Sequence, residues 1–405
     1  MSAVEREHAA LAERFPLGAS LRLADLERHD NAPLLHRLRE REPVSWFAEQ
    51  GVWLVTSRAL FDEVMMDPER FVVDVPGNPQ GIVLGRMMLA VDEPDHTRHR
   101  APFAEPFKFS QVRARFSELV ESRAAELLRG FERDRACELA AAFASPFAVS
   151  IASDILGLGL EHVEEVHAIY GAFAEGMVGY LDAAALGRAR EASARLHEFV
   201  MPAIERLRTR PDDSVLAAVL HAHEGSFADD GELFSNLRVI LFGAIETVES
   251  MILNTTWALC RHPAERERLE GDPSLWPAAV QEGLRWVPPV GYTDRWATCD
   301  TELGGVAIAR GDYVVPVIAA ANRDPAAFPD PDRFDIGRGD NRQNLSFGKG
   351  IHMCLGVNLA RMQGAEALRA LFTRLRGLAL DPEDAVEPVG FNFRRPPRLR
   401  VVWER

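Results

Sequence analysis

The chain has 405 residues, 47% hydrophobic and 26% charged, with 25 prolines spread along it. That composition supplies a large packed core and excludes a disordered or fibrous chain. A formal charge of −15 at pH 7 argues against nucleic acid as a partner.

The first residues, Met1-Ser2-Ala3-Val4-Glu5-Arg6-Glu7-His8, carry charge where a secretory leader would be apolar. No run of about 18 apolar residues occurs, so no membrane anchor is expected. The four cysteines, at 137, 260, 299 and 354, are too far apart for a CxxC metal site or a dense disulfide framework. This fits a reducing, cytoplasmic compartment. No repeat or linker breaks the pattern, so one domain over 1–405 is expected.

In chain order, Val44-Ser45-Trp46-Phe47 and Val52-Trp53-Leu54-Val55-Thr56 read as a hairpin turning at Gly51. Residues 58–66 form a short helix ended before Pro68. Residues 71–89 are rich in Gly, Pro and Val without helical period and read as a long binding-type loop. Next comes Asp95-His96-Thr97-Arg98-His99-Arg100, in which His96 and Arg100, four apart, share a helix face. Helical periodicity follows at 111–131, 136–156, 161–175, 183–207 and 213–222.

The longest helical run, 232–260, is apolar through its centre. Gly243-Ala244-Ile245-Glu246-Thr247 interrupts it with a carboxylate and a hydroxyl. An unpaired buried carboxylate is costly, so this pair calls for a reason. One reason is local: Thr247 bonds back to Gly243 and an arginine satisfies Glu246. The spacing of Val239, Gly243 and Thr247 puts them on one stripe, with Phe242 beside it. Residues 276–286 form another helix, where Glu282 and Arg285 are three apart on one face. Taken alone they also fit a surface ion pair. Short strands are expected over 290–316, and a structured loop over 325–350.

That loop ends in Phe347-Gly348-Lys349-Gly350-Ile351-His352-Met353-Cys354-Leu355-Gly356, followed by a helix over 357–371. Glycines at 348 and 350 allow tight turns and close approach to a flat ligand. A thiolate at a helix start is favoured by the unpaired N–H groups there. A buried structural cysteine is the plainer reading of the loop alone.

Phe347, Gly348, Gly350, His352, Cys354 and Gly356 fill every position of the pattern Phe-Gly-x-Gly-x-His-x-Cys-x-Gly. The stretch thus resembles the haem loop of the cytochrome P450 family. The resemblance runs from about residue 44 to the end of the chain. It implies a mainly α fold, a helical triangular prism with a minor β region, and haem b held by Cys354, whose thiolate favours O–O cleavage.

It further implies that Thr247 and Glu246 relay protons to dioxygen, with Gly243-Ala244 standing where the family has Ala-Gly. His96, Arg100, Arg295 and His352 resemble the haem propionate partners. Glu282, Arg285 and Arg333 resemble a buried structural lock. Gln363 stands where the family usually has Glu.

The activity implied is monooxygenation of a hydrophobic or aromatic small molecule, by hydroxylation, epoxidation or O-dealkylation. Electrons would come from a separate ferredoxin or flavodoxin and an NAD(P)H reductase. Expected pocket positions are Val239, Phe242, Gly243, Val290, Tyr292 and Phe391. A peroxide-driven enzyme and a non-catalytic haem sensor or carrier are the alternatives. Glu246-Thr247 speaks against the first, because such enzymes typically lack the pair. The absence of an output segment speaks against the second.

Overall fold

The computed structural model describes residues 3–159, 163–222, 225–384 and 386–404. The chain divides into two units that it enters alternately. One comprises Met1–Val73, Gln281–Cys354 and Glu387–Pro397; the other comprises Asp74–Val280, Leu355–Val386 and Arg398–Arg405.

The first unit holds the main sheet. Its hairpin pairs Val44–Phe47 with Val52–Val55, Trp46 lying opposite Trp53, their rings 5.2 Å apart. Tyr313–Pro316 adds parallel to Val52–Val55. Arg295–Ala297 then adds antiparallel, and Phe71–Val72 closes the edge. One face buries Phe15, Trp46, Trp53, Val64, Phe71 and Val314. The alternation of β-branched and aromatic residues that marks these strands in the sequence is what fills this core. A helix, Arg58–Met66, starts at Ser57, whose Oγ accepts from the Leu60 N–H.

The second unit is helical. Its long helix, Asp230–Arg261, has 32 residues, which at ~1.5 Å each span about 48 Å. The Asp229 carboxylate caps its start by accepting from the Glu232 N–H at 2.8 Å. His262 and Pro263 end it. Helices Val163–Val178 and Ala183–Thr209 pack together in this unit, as do Phe109–Phe131 and Val357–Arg374. A small sheet sets Arg400–Val402 between Ala136–Glu138 and Ala379–Leu380.

Three elements differ from expectation. The helix read over 136–156 begins as the strand Ala136–Glu138 and passes through a π-helical turn, Ala140–Ala144, before Ser145–Leu156. The loop read over 71–89 contains a helix, Pro79–Leu84, with Asn78 as its cap and proline at its first position. Of the helix read over 161–175, Glu161 and His162 lie outside the described residues, and Val163–Val178 is helical.

Candidate functional site

The cysteine loop belongs to the first unit and is held from its N-terminal side. The Ser346 hydroxyl donates to the Leu284 carbonyl at 2.8 Å. The Asn344 amide donates to the Gln281 side chain at 3.1 Å. The Asn322 side chain accepts from the Leu345 N–H at 2.7 Å and donates to Ser346 at 3.1 Å. Within the loop, the Cys354 N–H donates to the Phe347 carbonyl at 2.8 Å.

Gly350 has φ +75, and a Cβ there would lie 2.2 Å from the Met65 carbonyl oxygen. Only glycine allows that approach to the helix Arg58–Met66. Gly348 has φ +69, and a Cβ there would meet nothing nearer than the His352 carbonyl at 4.0 Å. Cys354 is half-buried. Burial pushes the thiols of Cys137 and Cys260 up to about 12, which leaves those two inert.

The helix Trp276–Trp286 supplies the anchors Gln281 and Leu284, and also the lock. Glu282 and Arg285 are both fully buried. Arg285 donates twice to the Glu282 carboxylate, at 2.8 and 2.7 Å. Its remaining donors reach the carbonyls of Asn322, Pro331 and Arg333 at 3.1, 2.8 and 2.9 Å. The Asp335 N–H also donates to Glu282, at 2.8 Å.

The third side chain of the lock is Arg338, which corrects the expectation of Arg333. The Arg333 side chain is 61% exposed and gives the lock only its carbonyl. Arg338 is 8% exposed, with Nε 3.6 Å from Glu282. It donates to the carbonyls of Pro329, Asp330 and Arg333. The chain turns at Asp330, at φ +49, and this turn presents those carbonyls to Arg338.

Arg295 is buried on its strand and donates to the Asp294 carbonyl at 2.6 Å. His352 and Phe347 are half-buried in the loop. Val290 packs against Phe61, Met65, Ile318 and Leu345, the last of these in the cysteine loop. The rings of Tyr292 and Phe391 lie 4.8 Å apart, tilted by 41°. Gly291 permits this, since a Cβ there would collide with the Phe391 carbonyl.

In the second unit the long helix is buried along most of its length. Between Val239 and Thr247 the exceptions are Val239, Ile240, Ala244 and Thr247, half-buried, and Gly243, exposed. They fall on one face, as the spacing predicts. A Cβ on Gly243 would meet no atom within 4 Å. The Thr247 hydroxyl donates to the Gly243 carbonyl at 2.5 Å, the back-bond that local geometry allows.

Phe242 is 6% exposed, its ring 6.2 Å from Tyr170, so it packs in the core beside the stripe. Glu246 is 4% exposed and Glu249 fully buried. Glu249 lies 2.9 Å from Nε2 of His167, a half-buried residue.

His96 and Arg100 lie on the helix Asp95–Ala104. His96 is buried, with Nδ1 3.0 Å from Glu93; Arg100 is half-buried. On the same helix Arg98 donates bidentately to Glu232, at 2.7 and 2.8 Å. That bond, opposed by burial, pushes the Glu232 carboxyl down to about 2. His99 is fully buried beside it, and burial lowers its pKa.

Sequence reasoning missed Arg338 and the Asn322, Asn344 and Ser346 anchors. Their signal is the density of Asn, Ser and Arg just before the loop, residue types that bond to backbone.

The family pattern described as Cytochrome P450 matches residues 274–398. The chain is 34% identical to 6-deoxyerythronolide B hydroxylase of Saccharopolyspora erythraea, over 86% of this chain and 90% of that one. It is 32% identical to vitamin D(3) 25-hydroxylase of Pseudonocardia autotrophica, over 86% and 87%. Among solved structures, the Bacillus subtilis bacillaene polyketide synthase cytochrome P450 PksS superposes with a TM-score of 0.81 at 29% identity. That superposition covers 93% of this chain and 97% of that one.

Proposed function

The chain belongs to the cytochrome P450 family, whose members are haem b monooxygenases, and from that premise we propose that it oxidises a lipophilic small molecule with dioxygen at a haem held by Cys354. The observation that carries this reading is the cysteine loop. One half-buried cysteine follows two positive-φ glycines in a loop tied to the buried Glu282–Arg285 helix.

The residues present fit haem b. A soft sulfur donor suits iron, and the space over Gly348 leaves room for a flat ligand beside the cysteine loop. Cys354 would hold the iron, with Phe347, Gly348 and Gly356 shaping the loop. His96, Arg100, Arg295 and His352 would hold the propionates as charge-assisted donors. When bound, the haem supplies dioxygen binding and reductive O–O cleavage.

Thr247 gives its own proton to the Gly243 carbonyl. Its oxygen lone pairs are therefore what it offers to a proton-bearing group in front of the stripe. Glu246 is the adjacent proton carrier. Glu249, three residues on, meets the half-buried His167, which gives the acid side a link toward solvent. The apolar stripe of Val239, Ile240 and Ala244 favours a lipophilic substrate, as do Val290, Tyr292 and Phe391 in their own cluster.

A separate ferredoxin or flavodoxin with an NAD(P)H reductase would supply electrons. The exposed Arg342, Met66 and Met353 around the cysteine loop suit such docking, whereas Lys349 is held by Asp62 at 2.9 Å. Among the described residues no helix is long and apolar enough to cross a membrane. We read the chain as one P450 domain acting in the cytoplasm.

The test is the carbon-monoxide spectrum of the reduced protein. Wild type should show the red-shifted Soret band of a thiolate ligand, and Cys354→Ser should lose it. Persistence of that band in the variant would sink the assignment.

A further inference from the structure

His99, on the helix Asp95–Ala104, meets the long helix in the same unit. It is fully buried, and so is its neighbour Asn236. Asn236 shares the face of Ile240, Gly243 and Thr247, by steps of four, three and four residues. It therefore stands at the N-terminal end of the open stripe. There the Met88 N–H donates to the Asn236 side-chain oxygen at 3.0 Å. Among the described residues this is the one main-chain bond that ties residues 86–91 to another element. Met87 and Met88 are both buried.

Two main-chain groups fix which way the Asn236 amide points. The Met88 N–H needs an acceptor, and the Glu232 carbonyl accepts from Nδ2 at 2.9 Å. With the amide so placed, its second N–H points at Nδ1 of His99, also at 2.9 Å. That nitrogen must then accept, so it carries no proton. The neutral ring bears its hydrogen on Nε2, which lies 2.9 Å from the Glu232 carboxylate. Both ring nitrogens are thus matched, but only in the neutral form.

A protonated ring has a hydrogen on each nitrogen. Its Nδ1–H would meet the Asn236 N–H, donor against donor. Turning the amide over would satisfy the ring. It would also set the amide nitrogen against the Met88 N–H, and its oxygen against the Glu232 carbonyl. Either way a fully buried polar group loses its partner, which is costly.

The surroundings set when this occurs. Burial is the largest influence and lowers the His99 pKa from its ordinary 6.5, so the ring is neutral near pH 7. Glu232 favours the cation, Arg98 opposes it and Asp95 favours it. Arg98 lies 2.9 Å from Nε2 and donates bidentately to Glu232, which offsets that carboxylate's charge. The Phe227 ring, 6.3 Å away, is an apolar wall. On the same helix His96 is held at Glu93, and just beyond its end Glu105 pairs with Lys108. The helix Val215–Ala222 packs on it with one titratable group, His221, bonded to the Leu207 carbonyl at 3.1 Å. Arg86 pairs with Asp74 and Asp95. Those pairs survive mild acid, because Arg86 and Arg98 hold Asp95 below the usual carboxylate range.

We propose that His99 and Asn236 form an acid-released latch. With His99 neutral, Asn236 holds Met88 and keeps residues 86–91 over the N-terminal end of the open stripe. A proton taken from solvent onto Nδ1 breaks that hold and frees the residues after Arg86. The stripe then opens at that end. The latch is a property of this network and operates whatever the site binds.

The test reads the Met88 amide in the haem-loaded full chain, labelled on methionine and histidine. Its hydrogen exchange, corrected for the intrinsic rate, is followed by NMR from about pH 7.5 to about pH 5, beside the ring titration of His99. Protection of Met88 should fall about 10- to 100-fold, the range for one buried hydrogen bond, with the midpoint of the ring. The Met251 amide, in the buried part of the long helix, should keep its protection. His99→Gln retains an acceptor for Asn236 and a donor for Glu232 without a titrating ring, so Met88 should stay protected throughout. Asn236→Asp offers acceptors to both Met88 and His99, so acid should no longer release Met88. Melting curves and the Met251 amide report that each variant is folded. Met88 protection that does not follow the His99 titration overturns the latch, and so does a fall that persists in His99→Gln. A ring that stays neutral down to about pH 5 overturns it as well.

Discussion

Replacing Glu282 by glutamine keeps the shape of the lock and removes its charge. Arg285 would keep its three carbonyl acceptors but lose the carboxylate that takes two of its N–H groups. Both side chains are fully buried, so water cannot compensate. Breaking a buried pair from one side costs about 3–5 kcal/mol, because an uncompensated charge is left inside. At ~2.1 cal/mol/K per residue, unfolding 405 residues carries an entropy of about 0.85 kcal/mol/K, so Glu282→Gln should lower Tm by about 4–6 °C.

The same helix anchors the cysteine loop through Leu284 and Gln281. Haem retention should therefore fall with Tm, read as the Soret-to-protein absorbance ratio. Two controls separate the lock from its sequence motif. Arg333→Gln, at an exposed side chain, should move Tm by no more than about 1 °C. Arg338→Gln, which strips three carbonyls of a donor, should cost clearly more. The double variant Glu282→Gln/Arg285→Met should cost less than the sum of its parts, since it leaves no lone charge. A Glu282→Gln protein that melts with wild type would refute this reasoning. So would a larger loss from Arg333→Gln than from Arg338→Gln.

Thr247→Ala should bind haem and ligands nearly as wild type does but divert electrons to peroxide. The product formed per NAD(P)H consumed, with a surrogate ferredoxin pair, should drop several-fold, and an unchanged ratio would leave Thr247 as mere packing. Glu232→Gln should be less stable than wild type at neutral pH by about 3 kcal/mol, the equivalent of a carboxyl taken from its ordinary 4.5 down to about 2. A depressed carboxyl stabilises fully above its unfolded value and loses that effect as pH falls toward about 2, so the gap between the two proteins should close between about pH 5 and pH 2. Arg98, Asp95, His99 and Asn236 are the groups around this carboxylate. His99, held neutral by burial, destabilises in the same direction on acidification. A gap constant across that range in urea melts would remove Glu232 from the acid response.

What could be read from sequence was local chemistry. The cysteine loop, the Glu282–Arg285 spacing and the hairpin at Gly51 each depend on residues a few positions apart. The spacing of Val239, Gly243 and Thr247 fixed a helix face, and the open side of the long helix is that face. What sequence did not yield was long-range or conformational. Ala136–Glu138 looks helical in any local window, but it pairs with Arg400–Val402 at the other end of the chain. Pro79–Leu84 carries an Asn-Pro start, yet the surrounding Gly and Pro residues hide it. A motif can name an arginine at 333, but which guanidinium turns inward depends on where the backbone carbonyls point. The turn at Asp330 directs them to Arg338. Arg238 reads in sequence as one basic residue on a helix, and only the fold reveals that among the described residues no acid meets it.

Two glycines show how the chain separates what must stay fixed from what can vary. Gly350 is held by backbone: the Met65 carbonyl occupies the place of any Cβ, and φ is in the left-handed region. A larger residue there must move the cysteine loop or the helix Arg58–Met66, and so the ligand itself. Gly243 is held by nothing nearby; a Cβ there projects into open space beside Thr247. A larger residue at 243 would take volume from the stripe without straining the helix, because alanine is the better helix former. The cysteine loop is thus fixed at Gly350 by a main-chain contact that leaves no room for a side chain. At Gly243 the open stripe of the long helix can accept a larger side chain without cost to the fold. On that arrangement substrate range can drift in evolution while the thiolate geometry stays constant.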